Sequence, residues 1–200
     1  GATLSLDADG VEIKNDAGNP IPVSDNSSSL TVDGKAYRSA VTITRPSNTT
    51  AYAVGDVIGI ADSGTPADPG SAIHTLSNAG PSGGYVLVQS VRLMIGLSSV
   101  TSGMGAFRLH LYTESPTAIL DNAAFDLVAG DVGKYAGFID LSAPTDFGST
   151  LVSQADYPGT LIKLASASTS LYAELETRGT FTPGSGTLYD LRVLTLEAGL

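Results

Sequence analysis

Apolar side chains recur at every second position in several short runs of this chain. The run AFRLHLYT, for example, alternates Phe107, Leu109 and Leu111 with polar or aromatic residues. Because successive side chains of a β-strand point to opposite faces of a sheet, this period of two predicts half-buried strands. About ten such runs are separated by turn signals, and no stretch shows a helical period over ~12 residues. The sequence therefore predicts an all-β, antiparallel β-sandwich.

The long connections between the predicted strands refine this fold class. An up-and-down barrel joins its strands by tight turns, whereas a jelly roll accommodates longer connections. Glycine (23 residues) and proline (10 residues) occur along the whole length, as is typical of turns between short elements. We therefore expect a jelly-roll-like sandwich.

The first 29 residues differ from the rest of the chain. Their short alternating runs, LSL and VEI, are interrupted by DADG, AGNP and DNSSS. Such a segment has too few apolar residues to fold alone. We predict an N-terminal arm or small β element over residues 1–29 and a β-sandwich domain over residues 30–200.

The stretch TITRPSNTTAYAVGDVIG, residues 42–59, predicts a strand, a polar crossing and a second strand. Pro46 lacks an amide donor and biases Arg45 to extended geometry, so the first strand ends there. Residues 47–50 can hydrogen-bond to their own backbone and form a turn. The second strand begins near Asp56, and nothing in the stretch demands chemistry.

Two other runs carry local signals. In YVLVQSVRLMIG the apolar alternation shifts near Gln89 and Ser90, which predicts a β-bulge. The stretch TAILDNAAFDLVAGDVGKY, residues 117–135, is the one place where the pattern favours either a short helix or a long ordered loop.

Composition argues against several classes of partner. The net charge is −10, and the ten basic residues are scattered, whereas a nucleic-acid surface needs clustered Lys and Arg. We therefore expect no nucleic-acid and no membrane partner. The absence of cysteine excludes disulfides and thiolate metal sites. The first ten residues lack the features of a signal peptide, and no apolar run approaches the ~20 residues of a membrane helix.

The ionisable residues form no recognisable catalytic pattern. His74 and His110 are the only histidines and lie in no metal-ligand motif. His110 alternates with core residues, so we expect it to be exposed or at a subunit contact. Glu174 and Glu176 lie on one strand face, ~7 Å apart. They are either a carboxylate pair for glycoside hydrolysis or the solvated face of an edge strand.

Three acidic residues of the long loop, Asp121, Asp126 and Asp131, are close in sequence. We interpret them as surface carboxylates that bind nothing, with a metal site as the alternative. The sequence therefore predicts no catalytic residue, no cofactor-binding residue and no metal ligand.

The run VDGKAYRSAVTITRPSNTTAYAVGDVIG resembles a segment of structural proteins of tailed bacteriophages. The later runs FRLHLYTESPTAILDNAAFDL and YAGFIDL are similar to the next segments of the same proteins. The resemblance covers about residues 30–141 and carries no active-site residues. It implies a virion structural protein, similar to capsid decoration or head auxiliary proteins, that is made in the host cytoplasm and lies on the capsid exterior.

The resemblance also implies partners. We expect a homo-oligomer, a trimer in a capsid with threefold positions, bound to the phage major capsid protein. Four apolar residues of the arm are candidate contacts with the capsid or a neighbouring subunit: Leu4, Leu6, Val11 and Ile13. The alternative for these residues is that they add a strand to the protein's own sheet.

Two other functions compete with decoration. A receptor- or glycan-binding tip of a tail fibre would use exposed tyrosines, such as Tyr52, Tyr85 or Tyr157. A depolymerase that acts on host polysaccharide would use Glu174 and Glu176 as its carboxylates.

Overall fold

The computed structural model describes residues 35–199 and, near the N-terminus, the strand backbones Ser5–Leu6 and Glu12–Ile13. Thirteen strands occur in this described part of the chain, labelled here in chain order. They are β1 (Ser5–Leu6), β2 (Glu12–Ile13), β3 (Ala36–Thr44), β4 (Val57–Ile58), β5 (His74–Leu76), β6 (Tyr85–Ile95), β7 (Phe107–Tyr112), β8 (Tyr135–Leu141), β9 (Thr145–Asp146), β10 (Leu151–Asp156), β11 (Leu161–Lys163), β12 (Leu171–Thr177) and β13 (Leu188–Ala198).

The strands after β2 form two antiparallel sheets. The first sheet has the order β3-β13-β6-β10-β9, and β11 also pairs with β6. The second sheet has the order β4-β12-β7-β8, and β5 also pairs with β12. Every pairing in both sheets is antiparallel. The prediction of an all-β, antiparallel sandwich is confirmed.

The strand order is that of a jelly roll. Eight strands form the two main layers, and in chain order they are β3, β4, β6, β7, β8, β10, β12 and β13. The first layer contains β3, β13, β6 and β10, which are the first, eighth, third and sixth of these strands. The second layer contains β4, β12, β7 and β8, which are the second, seventh, fourth and fifth. Strand β3 pairs with β13, β4 with β12, β6 with β10 and β7 with β8. The first strand thus pairs with the last, the second with the second-last and so on, as in one long antiparallel hairpin rolled into two sheets. The jelly-roll prediction is confirmed.

One apolar core lies between the two sheets. Ile43, Leu93 and Leu191 enter it from the first sheet, and Leu109 and Leu175 enter it from the second, all fully buried. They occupy alternating strand positions, as the period of two requires. Burial of each such side chain contributes roughly 1.5–3 kcal/mol, so this core is the main source of stability.

Two local predictions are also confirmed. Strand β3 ends at Thr44, just before the Arg45-Pro46 pair. The pairing of β6 with β13 shifts register between Leu194 and Thr195, which leaves Gln89 as the extra residue of a bulge.

Residues 113–134, which we call the covering segment, connect β7 to β8. Their only helical element is the 3-10 turn Ala129–Asp131, so the long ordered loop is the correct alternative for this stretch. The amide of Val57 donates to the carbonyl of Ala123 (2.9 Å), so part of the segment runs beside β4. Within the described residues, no helix has the length and apolar character needed to cross a membrane.

Candidate functional site

The outward side chains of β7 and β12 lie at the centre of the second sheet. The register places His110 opposite Glu174, and Glu176 lies diagonally across from His110. The three residues are 3%, 1% and 5% exposed, because neighbouring strands flank them and the covering segment lies above them. Together with Tyr112 and Tyr135 they form what we call the covered cluster.

His110 is engaged on both ring nitrogens. Its Nε2 lies 2.9 Å from Oε2 of Glu176, and its Nδ1 lies 2.9 Å from the hydroxyl of Tyr135. Phe125 of the covering segment stacks on the ring, with centroids 3.6 Å apart and planes 9° from parallel. Burial lowers the pKa of His110, although Glu176 opposes the effect. We therefore assign a neutral ring that donates from Nε2 to Glu176 and accepts at Nδ1 from Tyr135.

Glu174 is the least satisfied group of the cluster. The hydroxyl of Tyr112 donates to its Oε2 at 2.7 Å. Its Oε1 is buried and has no hydrogen-bond partner among the described residues. Burial raises the pKa of Glu174, because the charged form is poorly solvated there.

Charged groups close the rim of the covered cluster. Arg178 Nη1 donates to Oε1 of Glu176 at 2.7 Å. Arg108 donates to both carboxylate oxygens of Asp140, at 2.7 and 3.1 Å, and its guanidinium lies 3.9 Å from the ring centre of Phe138. This pairing lowers the pKa of Asp140.

Asp131 holds one end of the covering segment together. Lys134 Nζ donates to its Oδ1 at 2.8 Å, and the amide of Thr117 donates to its Oδ2 at 2.7 Å. Both contacts favour the charged carboxylate, Lys134 more strongly, and they lower the pKa of Asp131.

A second polar cluster, the Arg45 corner, anchors the other end of the covering segment. The corner consists of Arg45, Asn48, Tyr52 and Asp121, and the Arg45 side chain is fully buried. Arg45 donates to the Tyr52 hydroxyl (2.8 Å), to the Asn48 carbonyl (2.6 Å) and to Asp121 Oδ2 (3.4 Å). Asp121 Oδ1 accepts from Tyr52 (2.5 Å) and from the amide of Gly59 (2.8 Å).

The Arg45 corner accounts for the stretch TRPSNTTAYAVGD. Arg45, Asn48 and Tyr52 supply buried and partly buried hydrogen bonds of the corner. Asp56 accepts from the amide of Ala53 at 2.6 Å and fixes the turn before β4. These four polar residues of the stretch therefore have structural roles.

Several expectations about exposure are wrong. His110 is buried and not exposed, and Glu174 and Glu176 lie on a central strand and not on a solvated edge strand. Asp121 and Asp131 are buried, so they are not surface carboxylates. The common physical reason is that the covering segment folds back over the outer face of the second sheet.

The tyrosines proposed for a glycan site are not equivalent. Tyr52 is 1% exposed and belongs to the Arg45 corner, so its expected exposure is wrong. Tyr85 is half-buried on β6, whereas Tyr157 is 81% exposed at the end of β10.

The candidate arm contacts lie in or beside the two short N-terminal strands. Leu6 and Ile13 belong to β1 and β2, which pair with each other through Ser5 opposite Ile13. Leu4 and Val11 lie outside the described residues. Their role as capsid or subunit contacts stays a prediction.

The contacts of the covered cluster favour a structural role over a catalytic one. His110 and Glu176 have the geometry of a base and its orienting carboxylate, but Tyr135 occupies the second ring nitrogen and Phe125 covers the ring face. Within the described residues, no group of three or more His, Asp or Glu side chains is placed to hold a metal ion.

Sequence reasoning missed the Arg45 corner and the pairing of Tyr112 with Glu174. One signal was available, since a 22-residue connection without strands is uncommon and must pack somewhere. A segment that rich in apolar residues is expected to cover a sheet face, and the polar groups beneath it then need partners.

No protein-family model matches the chain. No curated protein matches it either.

Among solved structures, the chain is similar to a chain of the native virion of Kashmir bee virus at neutral pH. The identity is 14%, the TM-score is 0.31, and the match covers 94% of this chain and 83% of the other. A chain of Israeli acute paralysis virus, a full particle heated to 63 degrees, has 13% identity, a TM-score of 0.27 and coverage of 95% and 85%. A chain of sacbrood virus of honeybee has 8% identity, a TM-score of 0.26 and coverage of 98% and 78%. Similarity at this level carries no argument, so the jelly-roll assignment stands on the strand order alone.

Proposed function

We propose that this chain is a non-enzymatic structural protein of a virus particle, which decorates the capsid exterior. The observation that carries the proposal is the internal use of its reactive side chains within a jelly roll. His110, Glu174, Glu176 and Asp121 are all buried and engaged by other side chains of the chain. Internal engagement of these four groups favours a role in contact over a role in chemistry.

Two further points support the proposal. Jelly rolls build viral capsid domains as well as lectins and cupins, although a fold alone does not fix a function. The resemblance of residues 30–141 to structural proteins of tailed bacteriophages favours the capsid over the other two uses.

The mechanism is non-covalent attachment at many points. A trimer would present three copies of the N-terminal segment, and several weak contacts made together give strong avidity. Leu4, Leu6, Val11 and Ile13 would be the anchors of each copy. The net charge of −10 would limit self-association of the free protein.

Rebinding to particles stripped of the protein tests this function. Purified full-length chain is mixed with such particles, and bound protein is measured after sedimentation. A variant with serine at Leu4, Leu6, Val11 and Ile13 should lose most of its binding, because the loss is multiplied over the copies of an oligomer. A control with serine at three alanines of the same segment should bind normally: Ala2, Ala8 and Ala17.

Failure of the wild-type chain to rebind would contradict decoration. Turnover of a host polysaccharide that depends on Glu174 and Glu176 would contradict a non-enzymatic role.

A further inference from the structure

The outer face of the first sheet, which we call the open face, carries an apolar row at one end. The row runs across four strands, because Leu161 and Leu196 both pair with Leu87, and Leu196 pairs with Ala36. Leu161 is 48% exposed, Ala36 is exposed, and the other two are half-buried. A row of partly exposed apolar side chains forms a surface on which another chain segment can lie.

Basic residues lie beside this row. Arg92 on β6 is directly opposite Arg192 on β13, and both point outward. Arg38 and Lys163 are also exposed on this face, which has only Asp156 and Asp190 as carboxylates. Four cations and two carboxylates give the face a charge of +2, within a chain whose net charge is −10.

The arginine pair is unfavourable without an anion. Like charges directly opposite each other in a sheet destabilise it. Arg192 is compensated by Asp190, to which it donates at 3.1 and 2.7 Å. The ion pairs found within the described residues do not include Arg92 or Arg38. A carboxylate placed over Arg92 would therefore stabilise the face.

The N-terminal segment has the complementary composition. Residues 1–34 contain six carboxylates and one lysine, so their net charge is −5, half that of the chain. Apolar residues such as Leu4, Leu6, Val11 and Ile13 are distributed between these charges. The segment therefore combines acidic and apolar groups, as the open face combines basic and apolar groups.

The segment also joins the body at the right place. It is followed by Lys35 and then by Ala36, which is a member of the apolar row. An extended chain of 34 residues reaches at most ~110 Å, whereas the face is ~15 Å wide across four strands and ~36 Å long. Covalent attachment gives the segment a high effective concentration at this face.

We propose that residues 1–34 dock on the open face of their own subunit. The leucine row receives the apolar residues of the segment, and Arg38, Arg92 and Arg192 face its carboxylates. Docking is a property of the free protein, so its test is independent of binding to a particle.

Paramagnetic broadening in the full-length chain tests the docking. The chain has no cysteine, so a spin label can be attached at a single introduced one. Ala40→Cys places the label on the open face, and Ala118→Cys places it on the covering segment at the opposite side; both positions are exposed. A label at position 40 should broaden amide signals of residues 1–34 by at least threefold more than a label at position 118.

Charge reversal identifies the surface. Arg92→Glu with Arg192→Glu should abolish the selective broadening, whereas the double lysine variant should retain it. Equal broadening from the two label positions, or none, would overturn the proposal. In a mixture of spin-labelled copies and isotope-enriched copies, the label and the observed amides belong to different molecules. Broadening in this mixture would overturn docking on the same subunit, because it would show that the segment lies on a second copy.

Discussion

The two outer faces of this sandwich begin from the same sequence pattern and end in opposite environments. Both present polar side chains that alternate with core residues, such as His110 on β7 and Arg92 on β6. On the second sheet the covering segment encloses these groups, and His110 is 3% exposed. On the first sheet Arg92 stays exposed. Alternation therefore sets which face a side chain points to, and the path of the long connections sets whether that face contacts solvent.

The enclosed face has a consequence for stability. A polar group that loses water must find a partner inside the protein or destabilise it. The covered cluster and the Arg45 corner are sets of such partners. The corner fixes the covering segment at Asp121, and Phe125 of the segment stacks on His110 of the covered cluster. Substitutions on the covered side should therefore cost much more than matched substitutions on the open face.

The largest difference in lost stability is expected between substitutions of two neighbouring arginines, Arg45 and Arg38. Arg45→Met removes a buried partner of Asp121 and should lower the free energy of unfolding by ~3–5 kcal/mol. Arg38→Met on the exposed side of β3 makes the same chemical change and should cost less than ~0.5 kcal/mol. Urea unfolding of both variants measures the difference. Equal losses of unfolding free energy in the two variants would contradict the difference between the covered side and the open face.

Acid should act on the interior and the covered side. Burial lowers the pKa of His74 to about 4, and it also lowers the pKa of His110. The unfolded chain then binds more protons than the folded chain, so stability falls as the pH decreases from about 6.5 to about 4. The His74 contribution to this loss is ~3 kcal/mol, and the raised pKa of Glu174 opposes the trend.

Unfolding free energies at pH 7 and pH 4.5 test this dependence. His74→Gln keeps a donor for the carbonyl of Ile58, which lies 2.9 Å from Nε2. The variant should lose less stability than the wild type between the two pH values. The same loss in both proteins would remove His74 as a cause.

A smaller effect is expected inside the covered cluster. Tyr112→Phe removes the hydrogen bond to Glu174, which leaves both carboxylate oxygens buried without a partner. We expect a loss of ~1–3 kcal/mol. Tyr85→Phe on β6 is the matched control and should be nearly neutral. Glu174→Gln combined with Tyr112→Phe should recover part of the loss, because it removes the buried charge.

The smallest effect is expected on the open face. Arg92→Ala relieves the repulsion with Arg192 and should change the free energy of unfolding by no more than ~0.5 kcal/mol. Thermal unfolding at low and high salt measures it. A loss above ~2 kcal/mol would mean that Arg92 is enclosed like the arginine of the Arg45 corner.

Much of the fold is set by local pattern. The period of two in AFRLHLYT, the stop at Pro46 and the shift at Gln89 are each determined by a few neighbouring residues, and each prediction agrees with the structure. Pairing of β3 with β13, far apart in the chain, completes the jelly roll that the long connections favoured.

The site was less predictable, for a physical reason. The burial of His110 and Glu174 depends on Phe125 and its neighbours folding over a sheet face, and no local rule places a 22-residue connection. The partnership of Arg45 with Asp121 joins residues 76 positions apart. Sequence alternation predicted exposure for the outward side chains, because it carries no information on contacts at such separations.

The bulge at Gln89 changes which positions of β6 face the core. Before it, the even-numbered Val86 and Val88 face the core, and after it the odd-numbered Val91 and Leu93 do so. Deletion of this single residue would place Ser90 directly after Val88 and restore an unbroken alternation, in which Val91 still points inward and Arg92 still points outward. The bulge therefore allows β6 to contain one residue more than the matching part of β13 while charged side chains stay outside the sandwich and apolar ones stay inside.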